Sequence, residues 1–189
     1  MALSYEIRHN KFARSRRATG GLPVGMIQTL FTADDGPSIA NSAAEVNIFP
    51  FNNNLGSRVI TNGMASFLKC FYLRIWGRIA TTGLPALDIR IYLGGVQRFS
   101  LGGVLAASTS GSWILDAPMF VRTPGAGGTI TLNNGRFYYS ANGDTQQFAQ
   151  SAATAIDWTT NPTLQVSFQF GTADPLNQLF FDSAILEYI

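Results

Sequence analysis

The chain has 189 residues, 46% of them hydrophobic, and only 13% charged, about half the usual ~25%. It carries one cysteine and one histidine, so an internal disulfide and a Cys/His zinc cluster are both excluded. Net charge is +2 but uneven: residues 1–20 hold Arg8, Lys11, Arg14, Arg16 and Arg17 against Glu6, while the remainder holds 8 basic and 10 acidic groups.

The first 25 residues show no sustained hydrophobic period, and Gly20-Gly21-Leu22-Pro23 reads as a hinge. They are expected to form an extended basic arm (1–25) ahead of one domain (26–189). No apolar core follows the N-terminal cations, so no signal peptide is expected, and no apolar run reaches 18 residues. Met26 to Thr32 and Glu45 to Phe49 read as strands, separated by the turn signal Asp34-Asp35-Gly36-Pro37.

Phe67 to Ala80 carries the clearest strand pattern. Phe71, Leu73, Ile75 and Ile79 fall on one face, and Tyr72, Arg74, Trp76 and Arg78 on the other. Leu87 to Leu93 alternates in the same way. Gly94-Gly95 then turns the chain into a return strand, Val96 to Leu101, predicting a hairpin. Trp113 to Arg122 is a further strand whose Pro118 suggests an edge or a bulge. Thr129 to Leu132, Asn133-Asn134-Gly135 and Arg136 to Ser140 read as a second hairpin. Residues 145–157 have no clear period. Leu164 to Phe170 alternates strictly, and Leu179 to Ile189 reads as a final strand, bulged near Asp182.

Eight to ten strands with turn signals every 8–15 residues predict an all-β, antiparallel two-sheet β-sandwich, a jelly roll. An immunoglobulin-like sandwich is the alternative, but it is normally shorter, and the Cys…Trp…Cys spacing is missing.

The chemistry-bearing residues point away from catalysis. His9, the sole imidazole, lies in the arm, which lacks the rigidity a catalytic base needs. Of Asp88, Asp116, Asp144, Asp157, Asp174 and Asp182, most sit at turns or at outward strand positions, where a solvated or turn-stabilising role is the plain reading. No phosphate-binding glycine motif or calcium loop is complete. No enzyme activity and no cofactor are therefore expected.

The outward set Tyr72, Arg74, Trp76 and Arg78 has the residue types enriched at protein interfaces, and is the candidate subunit interface. Trp76, Trp113 and Trp158 read first as core or interface residues and second as a sugar-stacking platform. Arg8, Lys11, Arg14, Arg16 and Arg17 are candidates for anchoring the arm to a partner; nucleic acid enters only through this arm. Cys70, in an apolar run, reads as a small buried hydrophobe.

Asp157-Trp158-Thr159, Asn161-Pro162-Thr163-Leu164 and Gln169-Phe170-Gly171-Thr172-Ala173 resemble a pattern of bacteriophage virion proteins. There, a strand of the form L-x-V-x-x-Q-F/W-G precedes a polar loop and a last strand. The resemblance covers about residues 155–189. It implies a jelly-roll decoration (cement) or spike component of a virion, commonly a homotrimer, assembled in the host cytoplasm with a major capsid protein as partner and no membrane. It supplies no catalytic residues. The basic arm also resembles those of viral jelly-roll shell proteins, which keeps two alternatives: a capsid protein with a genome-facing arm, and a carbohydrate- or receptor-binding spike or tail module.

Overall fold

The computed structural model describes residues 28–34, 38–48, 58–60, 64–65, 69–105, 108–139, 145–147 and 152–189, with 28–34, 58, 108–110 and 145–147 described as backbone. The arm 1–25, with Arg8, Lys11, Arg14, Arg16 and Arg17, lies outside the described residues, as does Asp144.

Among the described residues, fourteen strands form two antiparallel sheets. In chain order they are β1 (Gln28–Asp34), β2 (Ser38–Ala40), β3 (Val46–Asn47), β4 (Arg58–Val59), β5 (Cys70–Thr81), β6 (Ala86–Leu93) and β7 (Val96–Val104). There follow β8 (Ser108–Thr123), β9 (Gly128–Leu132), β10 (Arg136–Tyr139), β11 (Thr145–Gln147), β12 (Thr154–Ile156), β13 (Thr163–Phe170) and β14 (Gln178–Tyr188). The larger sheet runs β1-β14-β5-β8-β10-β11, with β2 beside β14, and β9 and β12 beyond β8. The smaller runs β3-β13-β6-β7, with β4 beside β13. The eight framework strands are thus β1-β14-β5-β8 over β3-β13-β6-β7. The chain crosses from β1 to β3, β5 to β6, β7 to β8, and β13 to β14, which is the double Greek key of a jelly roll. Among the described residues no helix is long and apolar enough to cross a membrane.

The core fills the space between the sheets with the inward positions of both. Phe71, Leu73 and Ile75 of β5 are fully buried, as are Ile91 and Leu93 of β6 and Leu164, Val166 and Phe168 of β13. Trp113 anchors the centre: its ring packs on Phe137, Phe168 and Phe181, with ring centres 5.2–5.5 Å apart. Its indole N–H donates to the Arg78 carbonyl (3.1 Å), and the equally buried Trp158 donates to the Thr123 carbonyl (3.1 Å). Both indoles tolerate burial because each N–H finds an acceptor. Trp158 stands on a single 3-10 turn, Trp158–Thr160, whose preceding Asp157 accepts from the Thr159 N–H. Burial pushes the Cys70 thiol up to about 11, so it remains protonated and packs as an apolar group.

The β6–β7 hairpin forms as expected, its two-residue turn needing positive φ at Gly94 (63°) and Gly95 (75°). The second expected hairpin does not form. β9 and β10 do not pair with each other; both lie along β8, Leu132 opposite Met119 and Arg136 opposite Asp116. Residues 133–135 therefore oppose only Pro118 and Ala117. Asn-Asn-Gly supplies a one-residue bulge, with Asn134 at φ 54°, instead of a chain reversal. The reversal occurs earlier, between β8 and β9, through the loop that includes Gly125 (φ 86°). At 16 residues β8 is long enough to template both strands, and Pro118 lies where the ladder is interrupted.

Candidate functional site

The outer face of the larger sheet brings together the side chains singled out from the sequence. Strand pleating puts Tyr72, Arg74, Trp76 and Arg78 of β5 on one line, away from the core. Neighbouring strands widen this line into a patch. β14 adds Phe180, Asp182 and Ile185, β8 adds Ile114 and Asp116, and β10 adds Arg136 and Tyr138.

Arg74 is its centre. Its Nε donates to Asp116 Oδ1 (2.9 Å) and its Nη2 to the Tyr72 hydroxyl (3.0 Å). The guanidinium also lies over two rings, 4.8 Å from the centre of Tyr72 and 5.8 Å from that of Trp76. The Tyr72 hydroxyl first, and Asp116 after it, raise the Arg74 pKa above its ordinary value, against the opposing effect of burial. Asp116 is 8% exposed, so the solvated role expected for it is wrong. It is desolvated between two cations, with Arg136 reaching its other oxygen at 3.4 Å. Arg78 pairs with Asp182, the extra residue of a β14 bulge, at 2.9 Å, and covers the Phe180 ring at 5.2 Å.

Beside Arg74, Tyr72 and Pro118 face each other across β5 and β8. With Asp116, Asn134 and Arg136 they line a shallow cleft of about 370 Å³. The bulge at 133–135 places Asn134 at its rim. Trp113 and Trp158 are in the core, so the three-tryptophan stacking platform does not exist; of the three, only Trp76 reaches the outer face.

The outer face of the smaller sheet carries a polar network centred on Glu45 and Arg90. Glu45 accepts hydrogen bonds from the Ser167 hydroxyl and from the Tyr92 hydroxyl (2.7 Å), and pairs with Arg90 (3.0 Å). Arg90 also reaches Asp88 (3.0 Å) and Gln169 (2.8 Å). Among the described residues no group of three or more His, Cys, Asp or Glu is arranged to hold a metal.

Sequence reasoning located the β5 stripe but missed Asp116, Arg136 and Asn134 as its neighbours. The sequence signal for Asp116 was a lone acid within the apolar strand 113–122, opposite in charge to the arginines of β5.

No protein-family model matches this chain, and no curated protein sequence does. Among solved structures, the metal-free lectin I-B4 from Griffonia simplicifolia is similar over 86% of this chain and 93% of its own, at 8% identity and TM-score 0.36. The CBM2 module of the evolved Dit of Lactobacillus casei BL23 phage J-1 is similar over 81% of this chain and 74% of its own, at 10% identity and TM-score 0.32. The infectious bursal disease virus Gt strain structure covers 100% of this chain over 41% of its own, at 13% identity and TM-score 0.34. Likeness this distant transfers no function.

Proposed function

We propose that this protein is a non-enzymatic virion structural protein, a decoration protein that binds an assembled phage head and stabilises it. The observation that carries this reading is the patch around Arg74 and Trp76. There, half-buried aromatic and aliphatic side chains are interleaved with arginines already oriented by Asp116 and Asp182. A surface of this make-up suits docking to a protein, because the rings supply apolar area and the held arginines lose little entropy on binding. The jelly-roll topology and the resemblance of residues 155–189 to phage virion proteins support the same reading. The major capsid protein is the partner, a homotrimer is the working assembly, and the virion is the location. Stabilisation follows from mass action: a ligand that binds only the assembled shell disfavours its disassembly.

A second reading, a carbohydrate-binding spike or tail module, draws on the cleft of Tyr72, Asp116, Pro118, Asn134 and Arg136. A ring to stack on, beside carboxylate, amide and guanidinium groups, is the equipment for holding a sugar.

Co-sedimentation with phage heads lacking the protein separates the readings. The wild type is expected to pellet with heads, and Trp76→Ala to bind at least ~30-fold more weakly, the loss of about 2 kcal/mol typical of a central aromatic anchor. Unchanged binding by Trp76→Ala overturns the assigned surface. Salt-sensitive retention on polynucleotide in place of heads favours the capsid-protein alternative. Capture on immobilised glycans, lost in Tyr72→Ala, favours the carbohydrate alternative.

A further inference from the structure

The cleft beside Arg74 has its acceptors engaged and its donors free. Asp116 is the one carboxylate among the lining residues, and both of its oxygens are taken. Its Oδ1 accepts from Arg74 Nε at 2.9 Å, and its Oδ2 faces Nε and Nη2 of Arg136 at 3.4 Å. The Tyr72 hydroxyl accepts from Arg74 Nη2 at 3.0 Å, which leaves its own proton to give. The Arg136 side chain is 59% exposed, and its Nη1 has no partner among the described residues. The Asn134 amide, exposed at the bulge, has none among them either. Donors from β5, the bulge and β10 therefore line one cleft.

Two guanidiniums, Arg74 and Arg136, share the Asp116 carboxylate, so the cleft keeps one positive charge. Glu187 stands opposite Tyr72 on β14, on the side of β5 away from Pro118. A ligand group that only accepts, and that carries one negative charge, matches this supply. A neutral sugar hydroxyl also needs an acceptor for its proton, and Asp116 is taken. A phosphate dianion overshoots the charge, whereas a planar carboxylate fits the guanidinium fork. The walls add a second requirement. The Tyr72 ring and Pro118 face each other across neighbouring strands and offer apolar surface. The volume of about 370 Å³ lies within the ~300–1,000 Å³ of small-molecule clefts, and a lone carboxylate does not fill it.

We infer that this cleft binds a single pyranose residue that carries a carboxylate, such as a uronic or a sialic acid. The carboxylate takes the free donors of Arg136 and the Asn134 amide. The Tyr72 hydroxyl donates to a ligand oxygen, and the C–H face of the ring packs on Tyr72 and Pro118. Arg74 is a positioning residue, because it holds both Asp116 and the Tyr72 hydroxyl. The inference deepens the carbohydrate reading of the cleft and rests on it, and it is separate from what the Trp76 surface binds.

Isothermal titration calorimetry with glucuronate, galacturonate and N-acetylneuraminate, against glucose and galactose, tests it. At least one acid is expected to bind ~10-fold or more tightly than either neutral sugar, and to weaken as salt is raised. Arg136→Gln should abolish that preference, and Arg136→Lys, which keeps the charge without the fork, should retain only part of it. Tyr72→Phe should weaken binding several-fold, and Trp76→Ala should leave it unchanged. Melting transitions show which variants are folded, and Tyr72→Phe with Arg136→Lys keeps the test decisive if Arg136→Gln is not. No binding of any of the three acids up to tens of millimolar overturns the inference. Equal binding of acids and neutral sugars, lost in Tyr72→Ala, also overturns it but leaves the carbohydrate reading standing. Inorganic phosphate bound as tightly as the best acid overturns it too, since the cleft then reads charge alone. If the wild type binds no acid and Arg136→Gln no longer pellets with phage heads, the cleft takes an acidic side chain of the protein partner, and this inference falls while the decoration reading stands.

Discussion

Asp116 and Glu45 are both carboxylates on outer sheet faces, yet their neighbours give them different work. Asp116 sits between Arg74 and Arg136 and orients the guanidinium that the docking patch presents. Glu45 ties the segment before β3 to β13 and β6. The Ser167 hydroxyl first, then the Tyr92 hydroxyl, and Arg90 with them, hold its carboxyl below the ordinary 4.5, against burial. The same bond from the other side raises the Tyr92 pKa. A carboxyl depressed in the folded state contributes stability above its unfolded pKa and loses it as pH falls through the folded value. Glu45→Gln is therefore expected to cost about 0.5–1 kcal/mol at pH 7, the screened range for a part-exposed group. That difference should shrink as pH falls below about 4.5. Urea unfolding at pH 7 and pH 3 measures both quantities; an undiminished difference at pH 3 would refute the assignment.

At the scale of elements, β5 shows how a strand pattern accommodates an exception. Its inward residues read Phe71, Leu73, Ile75, Gly77, Ile79, and only Gly77 lacks a side chain. A Cβ there would lie 1.9 Å from the Phe180 carbonyl oxygen and 2.6 Å from the Trp113 ring. The gap is occupied by the indole of Trp113, its cross-strand partner, and by the bulge of β14. Gly77→Ala should destabilise the domain by about 1–3 kcal/mol or prevent folding, as overpacking against backbone does. A denaturation midpoint equal to wild type would show that the indole can move aside. The bulge at 133–135 likewise depends on a neighbouring strand. Asn-Asn-Gly provides a residue with positive φ, but positive φ serves a bulge as well as a turn. The choice between them depended on β8 running on as a common partner for β9 and β10.

For the whole molecule, the last strand is structurally central. β14 is inserted between β1 and β5, and β13 between β3 and β6, so segments far apart in sequence complete both sheets. Long-range pairing of this kind closes late and makes folding slow. Removal of residues 178–189 would strip β5 of one neighbour and uncover Phe71, Leu73 and Ile75 at the core. Such a chain is expected to show no cooperative unfolding transition by circular dichroism; a retained transition would mean that β1 can pair directly with β5.

Alternation along 71–79, 87–93 and 164–170, together with the Gly94-Gly95 turn, made the strands and the two-sheet class legible in the amino-acid order alone, because pleat and turn geometry are local properties. So was the outward stripe Tyr72, Arg74, Trp76 and Arg78, since period two assigns faces without knowledge of the partner strand. Strand order, the bulge at Asn134, the burial of Trp113 and Trp158, and the joining of Arg74 to Asp116 across 42 residues were decided by tertiary structure. Those features depend on which distant segments pair and on which polar groups are desolvated together. Local period contains neither.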